Sequence, residues 1–282
     1  MLTLTNVHKT FNKGTINEKK ALNGLNLHLE DGDFVTIIGG NGAGKSTMLN
    51  MIAGVYPIDC GKITIEDKDE ESGEINIINL SRMPEYKRAA YIGRVFQDPM
   101  KGTAAGMEIQ ENLALAYRRS NSRGLKWALT RSYRWGITKK EKELYHEKLK
   151  TLGLGLEDRM TSKVGLLSGG QRQALTLLMA TLEKPKLLLL DEHTAALDPK
   201  TAKTVLELTE KIVTENCLTA MMVTHNMKDA IRLGNRLIMM HEGKIIYDVS
   251  GEEKKNLKVS DLLAKFEEVS GGEFANDRMM LS

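Results

Sequence analysis

Apolar and polar positions alternate near the beginning of the chain, as in strands with one buried face. Leu25, Leu27 and Leu29 are separated by polar residues, and the polar segment EDGD at 30–33 leads into the apolar run FVTIIG at 34–39. This pattern predicts a β-hairpin. After the glycine-rich segment that follows, apolar residues recur at helical spacing until Gly54. The order strand, glycine-rich loop and helix is therefore predicted for residues 34–54.

After residue 54, the chain contains segments with helical spacing and segments typical of strands. Polar segments with helical spacing predict an inserted helical subdomain at about 98–165, and the near-continuous apolar runs KLLLLDE (186–192) and LTAMMVTH (218–225) are typical of buried parallel strands. A second hairpin is predicted to turn at Glu242 and Gly243. We predict an α/β fold for residues 1–250, with an N-terminal antiparallel β subdomain. A tail, 251–282, is expected to contain one short helix at about 259–268.

Composition restricts the class of protein only weakly. The 282 residues include 40 Lys and Arg against 37 Asp and Glu, a net charge of +3, so no global field attracts nucleic acid or acidic lipid. Cys60 and Cys217 have no metal-ligand spacing, and we expect reduced thiols. No run approaches the roughly 18 to 20 apolar residues of a membrane span, and the first residues do not resemble a signal peptide. We therefore expect that this chain does not itself cross a bilayer.

The segment GGNGAGKST at 39–47 meets the G-x-x-x-x-G-K-[ST] rule for a phosphate-binding loop, and it stands between a predicted strand and a predicted helix. Small residues let backbone N–H groups face phosphate oxygens, and the helix N-terminus favours negative charge. Lys45 is expected to bind the β- and γ-phosphates and Ser46 to bind magnesium. A glycine-rich connection without a ligand is the plainer alternative. The residues predicted to bind nucleotide here are Gly39, Gly40, Asn41, Gly42, Ala43, Gly44, Lys45, Ser46 and Thr47.

Three further polar residues follow predicted buried strands, where open α/β sheets bind their ligands. Asp191 and Glu192 come directly after four leucines, and His225 ends the run LTAMMVTH. Asp191 suits a magnesium site, and Glu192 suits a general base that polarises the attacking water. His225 can donate a hydrogen bond to a γ-phosphate oxygen. Acids that end a strand in solvent and an ordinary loop histidine are the alternatives.

A second glycine pair, in LSGGQ at 167–171, lies far from the phosphate-binding loop. Ser168 and Gln171 have the spacing of a helix capping box, which explains both of these residues without any ligand. Gly169 and Gly170 are not required by a capping box, whereas a helix N-terminus with small residues and a serine hydroxyl suits an anion. Both interpretations hold together.

These motifs, in this order, resemble those of ATP-binding cassette (ABC) ATPases over about residues 1–249, which have a phosphate-loop ATPase core. The resemblance rests on GGNGAGKST, on Gln97 in RVFQDP, on LSGGQ, on LLLLDE, on AALD and on His225. It implies a head-to-tail dimer of two such subunits, most simply a homodimer. The residues implied to act on the partner's ATP are Ser168, Gly169, Gly170, Gln171 and Asp198.

The resemblance also implies roles for single residues. Phe11 is expected to stack on adenine, with a core aromatic as the alternative. Gln97 is expected to sense magnesium and the attacking water, so it joins Glu192 and His225 in catalysis and Ser46 and Asp191 at the metal. His193 stands where the family usually has proline, and we expect an effect on backbone stiffness rather than on chemistry.

A single cassette of this family implies separate transmembrane permease subunits and a peripheral position on the cytoplasmic face of the membrane. Residues 98–117 would form the docking surface. A substrate-binding protein is a further implied partner, and the spelling of the motifs is similar to that of a bacterial group assigned to tryptophan or tyrosine import. The alternative is a soluble ABC ATPase that acts in iron-sulfur cluster assembly or on nucleic acid; we do not expect a nucleic-acid partner.

Eight basic residues and no acidic ones lie between Arg118 and Lys140, together with Trp127, Tyr133 and Trp135. Such a segment can face acidic lipid headgroups or a membrane subunit. A solvated insertion is the alternative, and the sequence leaves both open.

Overall fold

The structure, a computed structural model, describes residues 1–68, 74–119 and 136–270. A four-stranded antiparallel sheet comes mainly from the first part of the chain, with the strand order β2-β1-β4-β5. Its strands are β1 (Leu2–Phe11), β2 (Lys19–Leu29), β4 (Cys60–Lys68) and β5 (Ile75–Asn79).

A six-stranded sheet forms the centre of the fold, with the order β10-β9-β3-β8-β7-β6. The pairs that join β6, β7, β8, β3 and β9 are parallel, and β10 pairs with β9 in the antiparallel direction. The two apolar runs predicted as buried strands are β7 and β8, which confirms the α/β class. The strands are β3 (Phe34–Gly39), β6 (Ile92–Val95), β7 (Leu187–Asp191), β8 (Ala220–Val223), β9 (Arg236–His241) and β10 (Lys244–Ser250).

Helices cover the sheets and connect their strands. Those of the described residues are α1 (Lys45–Ala53), α2 (Glu85–Arg88), α3 (Ile109–Tyr117), α4 (Lys139–Lys150), α5 (Gly169–Thr181), α6 (Pro199–Glu215), α7 (Met227–Arg232), α8 (Gly251–Lys255) and α9 (Val259–Ser270). Two short 3₁₀ turns, Glu157–Arg159 and Val164–Leu166, lie between α4 and α5. The described residues between 98 and 165 thus contain helices and turns but no strand of either sheet.

The predicted hairpin of residues 25–39 is wrong. The two segments are strands, but β2 pairs with β1 in the four-stranded sheet, and β3 lies in the six-stranded sheet. Both edges of β3 are already paired, with β8 on one side and β9 on the other, so no edge is left for β2. All six residues of β3 are buried, whereas β2 buries only alternate positions over much of its length. The turn at 30–33 therefore carries the chain from one sheet to the other.

The second predicted hairpin is confirmed. β9 and β10 are joined by Glu242 and Gly243, whose φ angles are 45° and 74°. Positive φ at both central residues is the geometry of a type I′ turn, which matches the twist of the adjoining strands.

The tail packs against the core with two helices, where the sequence predicted one. Leu262 and Phe266 of α9 are buried in one cluster with Met227 and Ala230 of α7. The division of the chain at residue 250 stays a prediction, because the described part of the tail shares this apolar cluster with the core. Within the described residues no helix has both the length and the apolar character that crossing a membrane requires.

Candidate functional site

A cleft of about 310 Å³ opens beside the N-terminus of α1, at the carboxyl ends of the parallel strands. Residues 41–47 form one wall, and Glu192 and His225 approach from the ends of β7 and β8. Phe11, Lys19 and Ala21 close the remaining side. The structure therefore brings together most of the residues that the sequence predicted for nucleotide binding and hydrolysis.

The loop holds its shape through a glycine that no other residue could replace without strain. Gly44 is the N-cap of α1 with φ of 101°, and a Cβ built there would lie 2.5 Å from the carbonyl oxygen of Ala21. Lys45 follows as the first residue of the helix, and its side chain is buried. Its Nζ donates hydrogen bonds to the carbonyl oxygens of Gly39 (2.7 Å) and Gly40 (3.1 Å). The ammonium is thus fixed inside the loop, where anionic oxygens can reach it.

Ser46, which lines the cleft, contacts Asp191 at the end of β7. Ser46 Oγ donates to Asp191 Oδ1 at 3.2 Å, and the other carboxylate oxygen, Oδ2, forms an ion pair with Arg94 at 3.7 Å. Burial raises the pKa of Asp191, and the charge of Arg94 opposes that rise. A hydroxyl and a carboxylate are the hard oxygen ligands that magnesium takes beside substrate phosphates, so the donor set fits this ion.

Glu192 and His225 form a close pair. His225 Nε2 lies 2.6 Å from Glu192 Oε1. Burial raises the pKa of Glu192, but the hydrogen bond and charge of His225 outweigh it and leave that pKa below its usual value. The backbone of Glu192 has φ of 48°, an uncommon conformation for a residue with a side chain, and such strain concentrates at functional sites. The carboxylate is therefore anionic at neutral pH and held in one place.

The LSGGQ residues 167–171, called the signature segment below, cap α5 as the sequence predicted. Gln171 N donates to Ser168 Oγ (3.3 Å), and Ser168 N donates to Gln171 Oε1 (3.2 Å), which is a complete capping box. Gly170 is buried, and a Cβ there would lie 2.1 Å from the methyl group of Thr201. Gly170 therefore has a packing reason that sequence reasoning missed, whereas Gly169 is exposed.

Asp198 lies beside the signature segment. It caps α6 by accepting a hydrogen bond from Thr201 N at 3.1 Å, and Thr201 is also the residue that covers Gly170. Neither the capping box nor Asp198 lines the cleft described above. The signature segment and Asp198, which the family resemblance assigns to a partner's nucleotide, therefore lie next to each other and outside this chain's own cleft.

Phe11 and Gln97 have different settings. Phe11 lines the cleft and packs edge-on against Tyr56, with ring centroids 5.3 Å apart. Gln97 is exposed, two residues beyond β6, and does not line the cleft. Because Gln97 lies outside the cleft lining, its predicted catalytic and metal roles stay predictions.

Sequence reasoning missed three contacts. Lys19 enters the cleft at the start of β2, and its Nζ would lie 2.9 Å from a Cβ built on Gly42. Arg94 reaches Asp191 because β6 and β7 are neighbours, a pairing that the order of the sequence does not reveal. For Arg94, the only signal in the sequence was a basic residue inside the otherwise apolar strand β6.

The third missed contact belongs to His193. This side chain is buried, and its Nε2 lies 2.9 Å from Thr209 Oγ1 in α6. The Thr209 hydroxyl already donates to the carbonyl oxygen of Val205, so it accepts from His193. Burial lowers the pKa of His193 to about 4, which keeps the ring neutral. The residue that follows Glu192 is therefore tied to α6 by its side chain.

A buried lysine in a glycine loop, a serine beside an aspartate, and a glutamate paired with a histidine together define a phosphate-loop ATPase. Comparison with known proteins gives the family. A family model described as "ABC transporter" matches residues 22–195, more than half of the chain. The chain belongs to this family and is an ATPase subunit of the ABC transporter class.

Individual relatives agree with this assignment. The chain is 44% identical over 267 residues to a tyrosine transport ATP-binding protein of Clostridioides difficile, covering 95% of this chain and 99% of that protein. A methionine import ATP-binding protein of Streptococcus agalactiae is 31% identical over 250 residues, which cover 89% of this chain and 64% of that longer protein. None of these matches supports the alternative in iron-sulfur cluster assembly or on nucleic acid.

Solved structures share the fold. A dimeric ATP-binding cassette bound to ADP and phosphate after hydrolysis is 29% identical, with a TM-score of 0.69 and coverage of 89% of this chain and 98% of that one. An ABC transporter cassette in its ADP conformation is 26% identical, with a TM-score of 0.71 and coverage of 94% and 98%. Cassettes that bind nucleotide thus have the architecture described above.

Proposed function

We propose that this chain hydrolyses ATP to drive the uptake of an amino acid, with tyrosine as the first candidate, through separate transmembrane subunits. The observation that carries the proposal is the 44% identity to a tyrosine transport ATP-binding protein over nearly the whole length of both chains. The site adds a chemical basis, because its charged residues fit nucleotide binding and hydrolysis. The protein would lie on the cytoplasmic face of the membrane and would work with a substrate-binding protein.

Nucleotide binding begins at the loop. Backbone N–H groups of residues 41–47 and the N-terminus of α1 attract the phosphates, and Lys45 adds a fixed positive charge. Lys19 supplies a second cation from the opposite wall of the cleft. Phe11 and Tyr56 offer an aromatic surface next to the loop for the adenine ring.

Ser46 and Asp191 would hold magnesium, whose charge would offset that of the phosphate oxygens. The 3.2 Å contact between Ser46 Oγ and Asp191 Oδ1 supports this role, because it holds the two oxygens close enough to bind the same ion. A metal held by so few protein ligands needs substrate phosphates to complete its shell, so metal and nucleotide are expected to bind together.

Hydrolysis would use Glu192 as the general base. The carboxylate orients a water toward the γ-phosphorus and accepts its proton as the new bond to oxygen forms and the bond to the β-phosphate oxygen breaks. His225, 2.6 Å from Glu192, would hold the carboxylate and donate a hydrogen bond to a γ-phosphate oxygen. Gln97 would complete this set when nucleotide draws it toward the cleft.

A second copy would complete the site. Ser168 and Gly169 are exposed at the N-terminus of α5, and Asp198 is exposed next to them. A helix N-terminus with an exposed hydroxyl is suited to phosphate. Because these groups lie outside the chain's own cleft, a head-to-tail dimer would place them against the ATP of the partner.

The permease would dock in a groove of about 420 Å³ between the core and the helices of the 98–165 segment. Its walls include Phe96, Lys101, Gly102 and Leu115. This groove contains part of the segment that the family resemblance assigns to docking. Four of the eight basic residues of 118–140 lie outside the described residues, as do Trp127, Tyr133 and Trp135. Of the other four, Arg118 forms an ion pair with Glu141 at 2.9 Å, Arg119 lines the groove, and Lys139 and Lys140 begin α4.

Uptake of radiolabelled tyrosine tests the proposal. Cells of the native host that carry Glu192→Gln in place of the parental chain are expected to lose ATP-dependent tyrosine uptake, while uptake of an unrelated sugar stays at its parental level. Parallel assays with tryptophan and methionine define the cargo class. Unchanged tyrosine uptake together with loss of uptake of another solute would assign a different cargo, and unchanged uptake of all solutes would contradict the transport function.

A further inference from the structure

Arg94 connects two sites that are otherwise separate. It lies on β6, and its side chain is only 12% exposed. On one side its Nη2 forms an ion pair with Oδ2 of Asp191 and donates a hydrogen bond to Asn50 Oδ1 at 2.7 Å. Asn50 belongs to α1, the helix that begins at Lys45. The guanidinium thus ties the strand that bears Asp191 to the helix of the phosphate loop.

On its other side Arg94 faces the groove. Arg94 and Phe96 both line it, and the guanidinium carbon lies 4.5 Å from the centroid of the Phe96 ring. An aromatic face at this distance holds a guanidinium in a defined orientation. A displacement of the Phe96 ring would therefore remove one of the contacts that orient the Arg94 guanidinium.

The carboxylate of Asp191 is divided between two partners. Oδ1 accepts from Ser46, and Oδ2 faces Arg94. The Asp191 side chain is only 16% exposed, so solvent screens these charges weakly. A cation beside a carboxylate competes with any metal ion that uses the same carboxylate.

We propose that Arg94 is a positioning residue that links the groove to Asp191, so that the permease docked in the groove changes the affinity of the nucleotide site for divalent metal. The proposal rests on the proposed function in two respects, the metal role of Asp191 and the docking role of the groove. When Phe96 holds the guanidinium beside Asp191, metal binding is weakened. When the permease draws Phe96 and Arg94 toward the groove, Asp191 is released for the metal.

Calorimetric titration of ATP at a series of free Mg²⁺ concentrations tests this on the isolated protein. Arg94→Met removes the charge and keeps much of the side-chain length, and it is expected to lower the half-saturating Mg²⁺ concentration about fivefold because the competing cation is gone. Arg94→Lys retains the charge and is expected to stay near the parental value. Thermal unfolding of each variant checks that it is folded, and an unchanged or raised Mg²⁺ requirement in Arg94→Met would overturn the proposal.

A double-mutant cycle tests the connection to the groove. Phe96→Ala is expected to lower the half-saturating Mg²⁺ concentration in the parental background and to have no further effect in Arg94→Met. Tyr86→Ala, at an aromatic position that is 75% exposed and does not line the groove, is the matched control and is expected to change nothing. Equal effects of Phe96→Ala in both backgrounds would overturn the link.

The outcomes distinguish a failure of the metal role proposed for Asp191 from a failure of the role proposed for Arg94. If ATP affinity of the parental protein does not depend on Mg²⁺, the metal role of Asp191 is wrong, and the role of Arg94 is wrong with it. If the parental protein depends on Mg²⁺ and Arg94→Met behaves in the same way, only the role of Arg94 is wrong.

Discussion

Glu192 combines a strained backbone, a half-buried carboxylate and a histidine partner in one residue. Its φ of 48° and the contact with His225 restrict the carboxylate to one orientation. Such restriction is useful for a general base, because the reacting water then meets a fixed acceptor.

Glu192→Gln should slow ATP hydrolysis by roughly 10²- to 10⁴-fold, the usual contribution of a general base, and leave ATP binding intact. The amide keeps the shape of the side chain but accepts no proton. Steady-state hydrolysis and equilibrium binding of ATP measure the two effects separately. Glu207→Gln on the exposed face of α6 is the control, and a Glu192→Gln rate equal to that of the parent would remove Glu192 from the mechanism.

His193 makes folding stability depend on pH. Its pKa is about 4 in the folded protein and about 6.5 in an unfolded chain, so the unfolded state binds the proton more readily. The contribution of neutral His193 to the free energy of unfolding is fully present above pH 6.5 and is lost as the pH falls toward 4. Between pH 8 and pH 5 this single group should reduce the free energy of unfolding by about 2 kcal/mol.

Urea unfolding at pH 8 and pH 5 measures this effect. His193→Gln can still donate to Thr209 but does not titrate, so its acid-induced loss should be about 2 kcal/mol smaller than that of the parental protein. His146→Gln removes an exposed histidine and should behave like the parent. Equal losses in the parent and in His193→Gln would show that the ring is not held neutral.

At the scale of elements, the N-terminus of α5 combines a structural role with the one proposed for the dimer. Ser168 and Gln171 cap the helix, and Gly170 allows contact with Thr201. Gly169 is exposed, and a Cβ there would meet only the end of the Leu197 side chain, at 3.2 Å. Gly169 is therefore the position at which the dimer role can be tested without disturbing the packing.

Gly169→Asp should prevent ATP-induced dimerisation and leave ATP binding by the monomer unchanged. The added carboxylate would face the partner's phosphates, while its position in the first turn of α5 favours the helix. Gly169→Asn is a neutral side chain of the same shape and should dimerise better. Size-exclusion chromatography with light scattering, in a Glu192→Gln background, gives the result, and full dimerisation of Gly169→Asp would leave the segment as a helix cap only.

The tail helix α9 depends on its apolar contacts with α7. Leu262 is fully buried there, and Leu262→Ala should cost about 2 to 4 kcal/mol unless the tail detaches first, which would limit the cost. Hydrogen exchange of α9 amides and urea unfolding distinguish these cases. Val269→Ala, at a position 44% exposed, should have little effect, and equal results for both variants would contradict the packing described here.

The elements and the order of motifs could be predicted from the sequence because their signals are local. A glycine loop between a strand and a helix, and acids after four leucines, need no knowledge of distant neighbours. The sheet to which β3 belongs could not be predicted, because its partners β8 and β9 lie about 180 to 200 residues further along the chain. The contact between Arg94 and Asp191 could not be predicted either, because it depends on the pairing of β6 with β7, which are far apart in the sequence.

At the scale of the whole molecule, the described residues contain three surfaces on which the proposed function depends. They are the cleft proposed for nucleotide, the exposed segment proposed to meet a second copy and the groove proposed for the permease, with Arg94 between cleft and groove. The charge of the molecule is nearly balanced, so these sites rather than a global field are expected to determine its partners.

The most direct measurement is a pull-down of tagged Glu192→Gln protein from detergent-solubilised membranes of its native host, with ATP present and the co-purified proteins identified by mass spectrometry. Lys45→Ala, which should bind ATP weakly, serves as the matched control. We expect that a protein with several membrane spans is recovered with Glu192→Gln. Recovery of soluble proteins or nucleic acid alone would contradict the transport function.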